Sequence, residues 1–580
     1  MLNNRLTTLP RINADLLLLH PPAYFDFRER RDIYFPFLST SGDVPITPLY
    51  EYFPLGFKSL KRYLSDRGYG VKIINLASVL LRYPRLDIDS VVEAFDAQLI
   101  GIDLHWMVHV QGSLAIAKRL KEIQPDLPVI FGGISATYYA DQIIRYPFID
   151  MVMRGYDTHE PMAILLEALK KTSNLELVPN LMWKSHNGQI RDNIFTYKPR
   201  SYGYGIDWSD QPEETSTKTL PIRECISTQI AGCSRNCGWC GGSQQAFCRV
   251  YKLNRTVALK SLKEVKFEFG SLNKIPGVDN YHLYNVGSYN ESRKRMNLLF
   301  DQVGKSNLKS VSYEQFQLTP EDIMKCMVKA NKCTFITLSP ESHDLKVAKL
   351  AGRGVYTNKE LEEWIYKAFD IGIYGIDIWY FVGMPEQDEN SVLKTVEYCH
   401  RLLELFKGKR VNPMICPMIP YLDPASTFFE YPEKNGYRIF YRTVEEHRLG
   451  MERSSVINRI NYETKWLSRS DLIHVGYRAV RELMRAKADF SFLPSAWVND
   501  YITRIDDALD FIDVVHEVDC LVEDQERLKE LDRLGDEILK RNNMIFFSGV
   551  MNQSFPINRN IGGRWFDEMG WTVNDLDAVQ

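Results

Sequence analysis

The chain has 580 residues, 45% hydrophobic and 25% charged, with a formal net charge of −3. That length is too great for one core and predicts roughly two to four domains. The charge offers no general field to nucleic acid, and no apolar run approaches the ~18 residues that span a membrane. The amino-terminal run of four leucines, preceded by Asp15, is too short for a signal h-region. A cytoplasmic protein with no membrane or nucleic-acid partner is therefore expected, with its thiols kept reduced.

Residues 14–22, ADLLLLHPP, read as a buried strand ended by two prolines, and a long loop rich in aromatics and proline follows to about residue 53. PLGFKSLKRYLSDRGY reads as a helix, with Leu55, Leu60 and Leu64 recurring among basic residues, and VKIINLA as a second strand. Further strands are expected at 99–106, 127–134 and 149–155, with the helix GSLAIAKRLKEI between the first two. Strands alternating with helices predict an α/β domain with a doubly wound parallel sheet, whose ligands sit outside the strand carboxyl ends. Gly132 and Gly133 lie at one such end, where the backbone can approach a ligand or simply turn into a helix.

The polar stretch 184–205 reads as a linker. Beyond it CISTQI is strand-like and TVALKSLKEVKFEFG helical; strands are then expected at 280–288, 309–317, 333–342, 375–385 and 412–420. About six β/α units predict a partial or full parallel barrel, with functional groups at the strand carboxyl ends. After about residue 430 the strand signal fades, and GYRAVRELMRAKADF and QERLKELDRLGDEILKRNN read as amphipathic helices. The expected domains are 1–200 (a Rossmann-type sheet with linker), 201–430 (the barrel) and 431–580 (mostly helical).

Five of the ten cysteines fall in CISTQIAGCSRNCGWCGGSQQAFC, residues 225–248. Cys233, Cys237 and Cys240 are spaced C-x3-C-x2-C, and they follow the first strand of a β/α series. Thiolates are soft ligands for zinc or iron–sulfur clusters. Structural zinc takes four protein ligands, which would require Cys225 or Cys248; three cysteines suit a 4Fe–4S cluster with one iron left open. Cys225 and Cys248 read otherwise as buried or incidental thiols.

C-x3-C-x2-C with Trp239 just before the last cysteine resembles the radical S-adenosylmethionine (SAM) superfamily. The resemblance implies a cluster on Cys233, Cys237 and Cys240 whose open iron chelates SAM's methionine, with Trp239 against SAM. It implies an electron donor such as flavodoxin or ferredoxin, and a 5′-deoxyadenosyl radical that abstracts hydrogen from a substrate. NVGS (285–288) stands where superfamily members hold the methionine, through Asn285 or Ser288, and departs from the usual Gly-Gly-Glu. LSPESHD (338–344) resembles the "ES" segment of many cobalamin-linked members, which implies a cofactor role for Glu341; a helix N-terminal carboxylate is the plain alternative. WYFVGMPEQDENS resembles their G-x-P segment, with Gly383 and Pro385. This likeness covers roughly 221–425.

The front domain resembles the cobalamin-binding domain of one class of these enzymes, on HPP after the first strand, PLGFKSLKRYL, FGG and IDMVMRG. The D-x-H-x-x-G motif that supplies a lower-face histidine is not found after the first strand. Asp103 and His105 read D-L-H, but Val108 replaces the glycine. His20 reads as a packed loop residue, and His105 and His109 as core histidines near the corrin face. The resemblance implies SAM, a 4Fe–4S cluster and cobalamin as cofactors. It implies methyl transfer to an unactivated carbon of a small metabolite or natural-product intermediate. Radical oxidation, cyclisation or rearrangement is the alternative, and a non-catalytic zinc or redox protein a third.

Overall fold

Runs of leucine, isoleucine and valine that are apolar on both faces of a strand require helices above and below the sheet. The computed structural model, which describes residues 9–37, 55–171, 174–209, 224–274, 280–284, 293–417 and 421–547, meets that requirement twice. The first sheet contains β1 (Ile12–His20), β2 (Val71–Asn75), β3 (Phe95–Asp103), β4 (Val129–Gly132), β5 (Met151–Met153), β6 (Leu181–Lys184) and β7 (Ile190–Asp192). Its order is β2-β1-β3-β4-β5-β6-β7, with β1 to β5 parallel and the last two antiparallel. The direction of winding reverses between β1 and β3, so the crevice of this sheet lies at the carboxyl ends of those two strands.

The stretch read as a linker is in part structure: β6 and β7 form a hairpin that extends the sheet. Its turn, Ser185 to Gly188, places Gly188 at φ +76°, and Gly188 N–H donates to Ser185 O (2.7 Å). Asn187-Gly188 is the turn signal that the polar composition concealed.

The second sheet has β8 (Glu224–Thr228), β11 (Asn280–Tyr284), β12 (Ser310–Gln315), β13 (Thr334–Glu341), β14 (Gly375–Val382) and β15 (Val411–Pro417), all parallel, in the order β15-β14-β13-β12-β11-β8. Sequential parallel neighbours joined by helices are the β/α series expected. Between β8 and β11 sits a small antiparallel ladder of β9 (Ile230–Gly232) and β10 (Val257–Leu259). The segment 256–270 was expected to be all helix; the helix begins only at Leu262, where Ser261 caps Glu264 N–H, because 257–259 pairs with β9.

Beyond 430 lie three long helices, Arg469–Asp489, Ser495–Asp519 and Asp524–Phe547. The middle one was not read from the sequence. A short antiparallel pair, β16 (Tyr437–Ile439) with β17 (Tyr462–Thr464), precedes them. This region grips the loop after β1. Arg459 donates to Tyr34 O (2.7 Å), Asn542 donates to Ile33 O (2.8 Å) and accepts from Phe35 N–H (2.9 Å), and Tyr477 OH donates to Phe37 O. The two sheets are joined by Glu264, which accepts from Arg62 (2.7 Å) and from Gly205 N–H (2.8 Å). Among the described residues no helix is long and apolar enough to cross a membrane.

Gly112 holds the start of the helix Val110–Ile123 against the loop leaving β1: a Cβ there would fall 1.8 Å from Pro22 O. Gly112→Ala should therefore cost about 2 kcal/mol or more, seen as a lower urea midpoint. Gly56→Ala, in a helix with open space around it, should cost nothing and can gain up to about 1 kcal/mol.

Candidate functional site

The cysteine loop leaves β9 at Gly232, whose φ of +80° and close approach to Thr256 O exclude a side chain. Cys237 is buried, and Cys233 and Cys240 are half-buried. Each of the three sulfurs receives an N–H. Arg235 N–H points to Cys233 Sγ (3.2 Å) and Gly242 N–H to Cys240 Sγ (3.3 Å), an i to i+2 pattern. Cys237 Sγ instead receives the side-chain Nε–H of Arg353 (3.0 Å).

Burial pushes the Cys237 thiol up to about 11 against the opposing pull of Arg353. Burial, then the carboxylate of Asp423 and the neighbouring cysteines, push Cys240 well above the usual thiol range.

Cys233, Cys237 and Cys240 offer three sulfurs on one loop, one fewer than the four protein ligands of a structural zinc site. Trp239 lies with its ring 5.6 Å from that of Phe381 at the carboxyl end of β14, and its indole N–H is buried without a hydrogen-bond partner.

Glu341, at the end of β13, is fully buried, with a φ of +72°. A left-handed non-glycine residue at a strand end is backbone strain of the kind that gathers at functional sites. Its carboxylate stands 3.1 Å from Arg353 Nε. Asn285 and Ser288 lie outside the described residues. Cys248 Sγ donates to Arg255 O (3.4 Å) from the helix Gln244–Tyr251; Cys225 is on β8, paired with Tyr281 of β11.

At the crevice of the first sheet, Asp103 ends β3 and holds two histidines through their Nδ1 atoms, His20 from the end of β1 (2.9 Å) and His105. The ring of His109 lies 4.9 Å from that of His20 and 5.0 Å from that of His105. Burial raises the Asp103 carboxyl, but the charge and hydrogen bonds of His20 and His105 outweigh it and hold the group well below the usual carboxylate range. With Nδ1 committed to Asp103, Nε2 is the free nitrogen; that of His20 is buried with no partner. A carboxylate-oriented imidazole is suited to a metal cofactor.

Gly132 has open space above it, its imagined Cβ meeting only Met153 O at 4.0 Å. Gly133 differs: at φ +115° its Cβ would fall 2.7 Å from the backbone of His105. The close approach that demands glycine at 133 is thus made by the protein's own 104–105 loop.

The two regions meet at Asp423. This half-buried carboxylate accepts the indole N–H of Trp106, three residues past β3 (3.1 Å), and Gly241 N–H, the residue after Cys240 (2.9 Å). Burial raises its pKa against the pull of both donors. The carboxyl end of the front sheet is thereby joined to the cysteine loop. The helical region closes on the same loop. Phe428 N–H donates to Gly238 O (2.8 Å), and a Cβ at Gly238 would fall 2.1 Å from the Phe428 ring. Tyr462 of the segment 461–466 packs on the strained turn after β14, where a Cβ at Gly383 would fall 2.6 Å from its hydroxyl. Asp423, Trp106 and Arg353 were not singled out from the sequence. Only Arg353 carries a local signal, its position between two glycines.

The B12 binding domain family model matches residues 43–165, which spans β2 to β5. No curated protein sequence matches the chain. Its fold is similar to that of the radical S-adenosylmethionine methyltransferase TsrM from Kitasatospora setae, solved with cobalamin and a [4Fe-4S] cluster bound (14% identity, 82% of this chain and 89% of that one, TM-score 0.52). It is similar also to the cobalamin-dependent S-adenosylmethionine radical enzyme OxsB, solved with aqua-cobalamin and S-adenosylmethionine bound (12% identity, 93% of this chain and 79% of that one, TM-score 0.51). Residues 43–165 thus match the B12 binding domain model, and the fold of the chain is similar to that of these two cobalamin-binding radical enzymes.

Replacing Asp423 by Ala removes the acceptor of two half-buried donors at once, a loss of about 0.5–1.5 kcal/mol for each hydrogen bond. Hydrogen exchange should then rise together in 104–109 and 238–243. A rise in only one segment would mean that the carboxylate does not tie them.

Proposed function

We infer that this protein is a cobalamin-dependent radical SAM enzyme that methylates an unactivated carbon of a small metabolite or natural-product intermediate. The observation that carries this reading is the Trp106–Asp423–Gly241 bridge. A methylase of this kind must bring one substrate carbon to two cofactors in turn, and the bridge sets the crevice of the B12-binding domain beside the cysteine loop. When bound, the cluster and SAM supply the radical, and cobalamin supplies the methyl group.

The chain's own share is holding and exclusion. Cys233, Cys237 and Cys240 hold the cluster, and Trp239 with Phe381 offers an aromatic face beside it. Asp103 fixes the histidines of the crevice that would take the corrin, with Gly132 leaving space at the strand end. The segment from Asp423 to Tyr462 covers the cysteine loop and the end of β14, which keeps water from a reactive intermediate. A second reading is radical oxidation, cyclisation or rearrangement without methyl transfer, since the fold is equally similar to that of OxsB, described as a cobalamin-dependent radical enzyme with no methyl transfer named.

Product analysis with methyl-labelled SAM separates the two. Methyl transfer requires one 5′-deoxyadenosine and one S-adenosylhomocysteine for each methyl group added. 5′-Deoxyadenosine without the homocysteine product rejects methylation. At the level of cofactors, Ala in place of Cys233, Cys237 or Cys240 should abolish iron binding and SAM cleavage. Cys225→Ala and Cys248→Ala should retain near wild-type iron, measured per chain after anaerobic reconstitution.

A further inference from the structure

The two outer cysteines of the loop receive backbone N–H groups two residues on, but Cys237 does not share that pattern. Its donor comes from another β/α unit, 116 residues away. Arg353 sits just past the helix Leu345–Leu350, in the turn Ala351-Gly352-Arg353-Gly354. Both glycines are left-handed, at φ +93° and +74°. A Cβ at Gly352 would fall 2.5 Å from Asn236 O and 2.8 Å from Cys237 Cα, and Gly238 N–H donates to Ala351 O (2.9 Å). The turn therefore presses backbone to backbone on the cysteine loop and delivers one side chain to it.

That side chain is 7% exposed. Its guanidinium lies 3.8 Å over the ring of Phe316. Nε–H donates to Cys237 Sγ (3.0 Å), Nε lies 3.1 Å from Glu341 Oε1 as an ion pair, and Nη1 is buried with no hydrogen-bond partner. Burying a guanidinium is costly unless charge of the opposite sign surrounds it. One carboxylate balances it, yet an N–H remains over. A buried cation with an unused donor, touching a cysteine sulfur, is matched to a centre that gains negative charge.

We propose that Arg353 is a positioning residue of the iron–sulfur cluster, which orients the Cys237 thiolate by its Nε–H and raises the reduction potential of the cluster by its fixed charge, with Glu341 as the counter-charge that limits the effect. This rests on the reading that Cys233, Cys237 and Cys240 hold a cluster. Reduction adds an electron to a buried anionic centre. Hydrogen bonds to the sulfurs and the net local charge are what a protein uses to set the potential of such a centre. Because the strained backbone of Glu341 and the two left-handed glycines hold both charged groups in place, the field is present before the electron arrives.

The test is an EPR-monitored redox titration of full-length, anaerobically reconstituted protein, with iron counted per chain. In Arg353→Met the reduction equilibrium should shift at least tenfold toward the oxidised cluster, about 59 mV for one electron. Arg353→Lys keeps the charge without the fork and should fall between. Glu341→Gln should shift the equilibrium the other way. If Arg353→Met takes up no iron, Arg353→Lys and Glu341→Gln decide the matter. An iron-loaded Arg353→Met with the wild-type potential overturns the proposal, as does an unmoved potential in Glu341→Gln; Arg353 is then a structural ion-pair partner. Wild-type protein that takes up no iron rejects the cluster reading itself, which is a different failure.

Discussion

The carboxylate of Asp423 is the constraint around which the two sheets are arranged. Even a half-buried carboxylate without donors is costly to a fold. This one is satisfied only if an indole from the front domain and an amide of the cysteine loop reach it together. The requirement acts in both directions. The loop after β3 cannot drift from the cysteine loop without stranding Asp423, and Cys240 cannot shift without moving Gly241. A single side chain from the segment after β15 thus couples the ends of β3, β8 and β15. No sequence-adjacent contact could do this.

Around that link the packing is backbone-tight, and small residues mark where. Gly238 admits the Phe428 ring, Gly352 admits the Asn236 carbonyl, and Gly133 admits the His105 backbone. Each is a place where two segments distant in sequence approach more closely than a Cβ allows. The consequence is a loop whose cysteines are held from three sides, by the β9–β10 ladder, the Ala351–Gly354 turn and the helix Thr427–Glu430. Close contacts of this kind fix the loop's backbone before any ligand arrives.

The two candidate cofactor regions are built on the same logic with opposite charge. At the front crevice a carboxylate, Asp103, holds two imidazoles by Nδ1 and leaves their Nε2 atoms uncommitted. At the cysteine loop a guanidinium, Arg353, holds a sulfur and faces a carboxylate. In both, a charged residue, at the end of β3 or just past the helix Leu345–Leu350, orients a candidate ligand. The helical region supplies neither ligand set. Its role is to pin the loop after β1 and to cover the turn after β14, through Arg459, Asn542, Phe428 and Tyr462.

Strand positions, the alternation that produces two parallel sheets, the C-x3-C-x2-C spacing and the helical tail were legible in the sequence, because each depends on local periodicity or on ligand spacing along the chain. The hairpin at 185–188 was legible too, in Asn187-Gly188, but its polar residues resembled a linker. The β9–β10 ladder was not, since Val257, Ala258 and Leu259 become a strand only when paired with Ile230 to Gly232. The middle helix of the tail escaped because its apolar face, from Val498 to Val515, is interrupted by many acidic residues and makes sense only against its neighbours. Tertiary structure alone decided that Asp423 meets Trp106 across 317 residues and that Arg353 meets Cys237 across 116. It also decided that Gly133 yields to His105. A buried charge finds its partner by proximity in space, and nothing in the spacing of residues along a chain records which distant group will stand beside it.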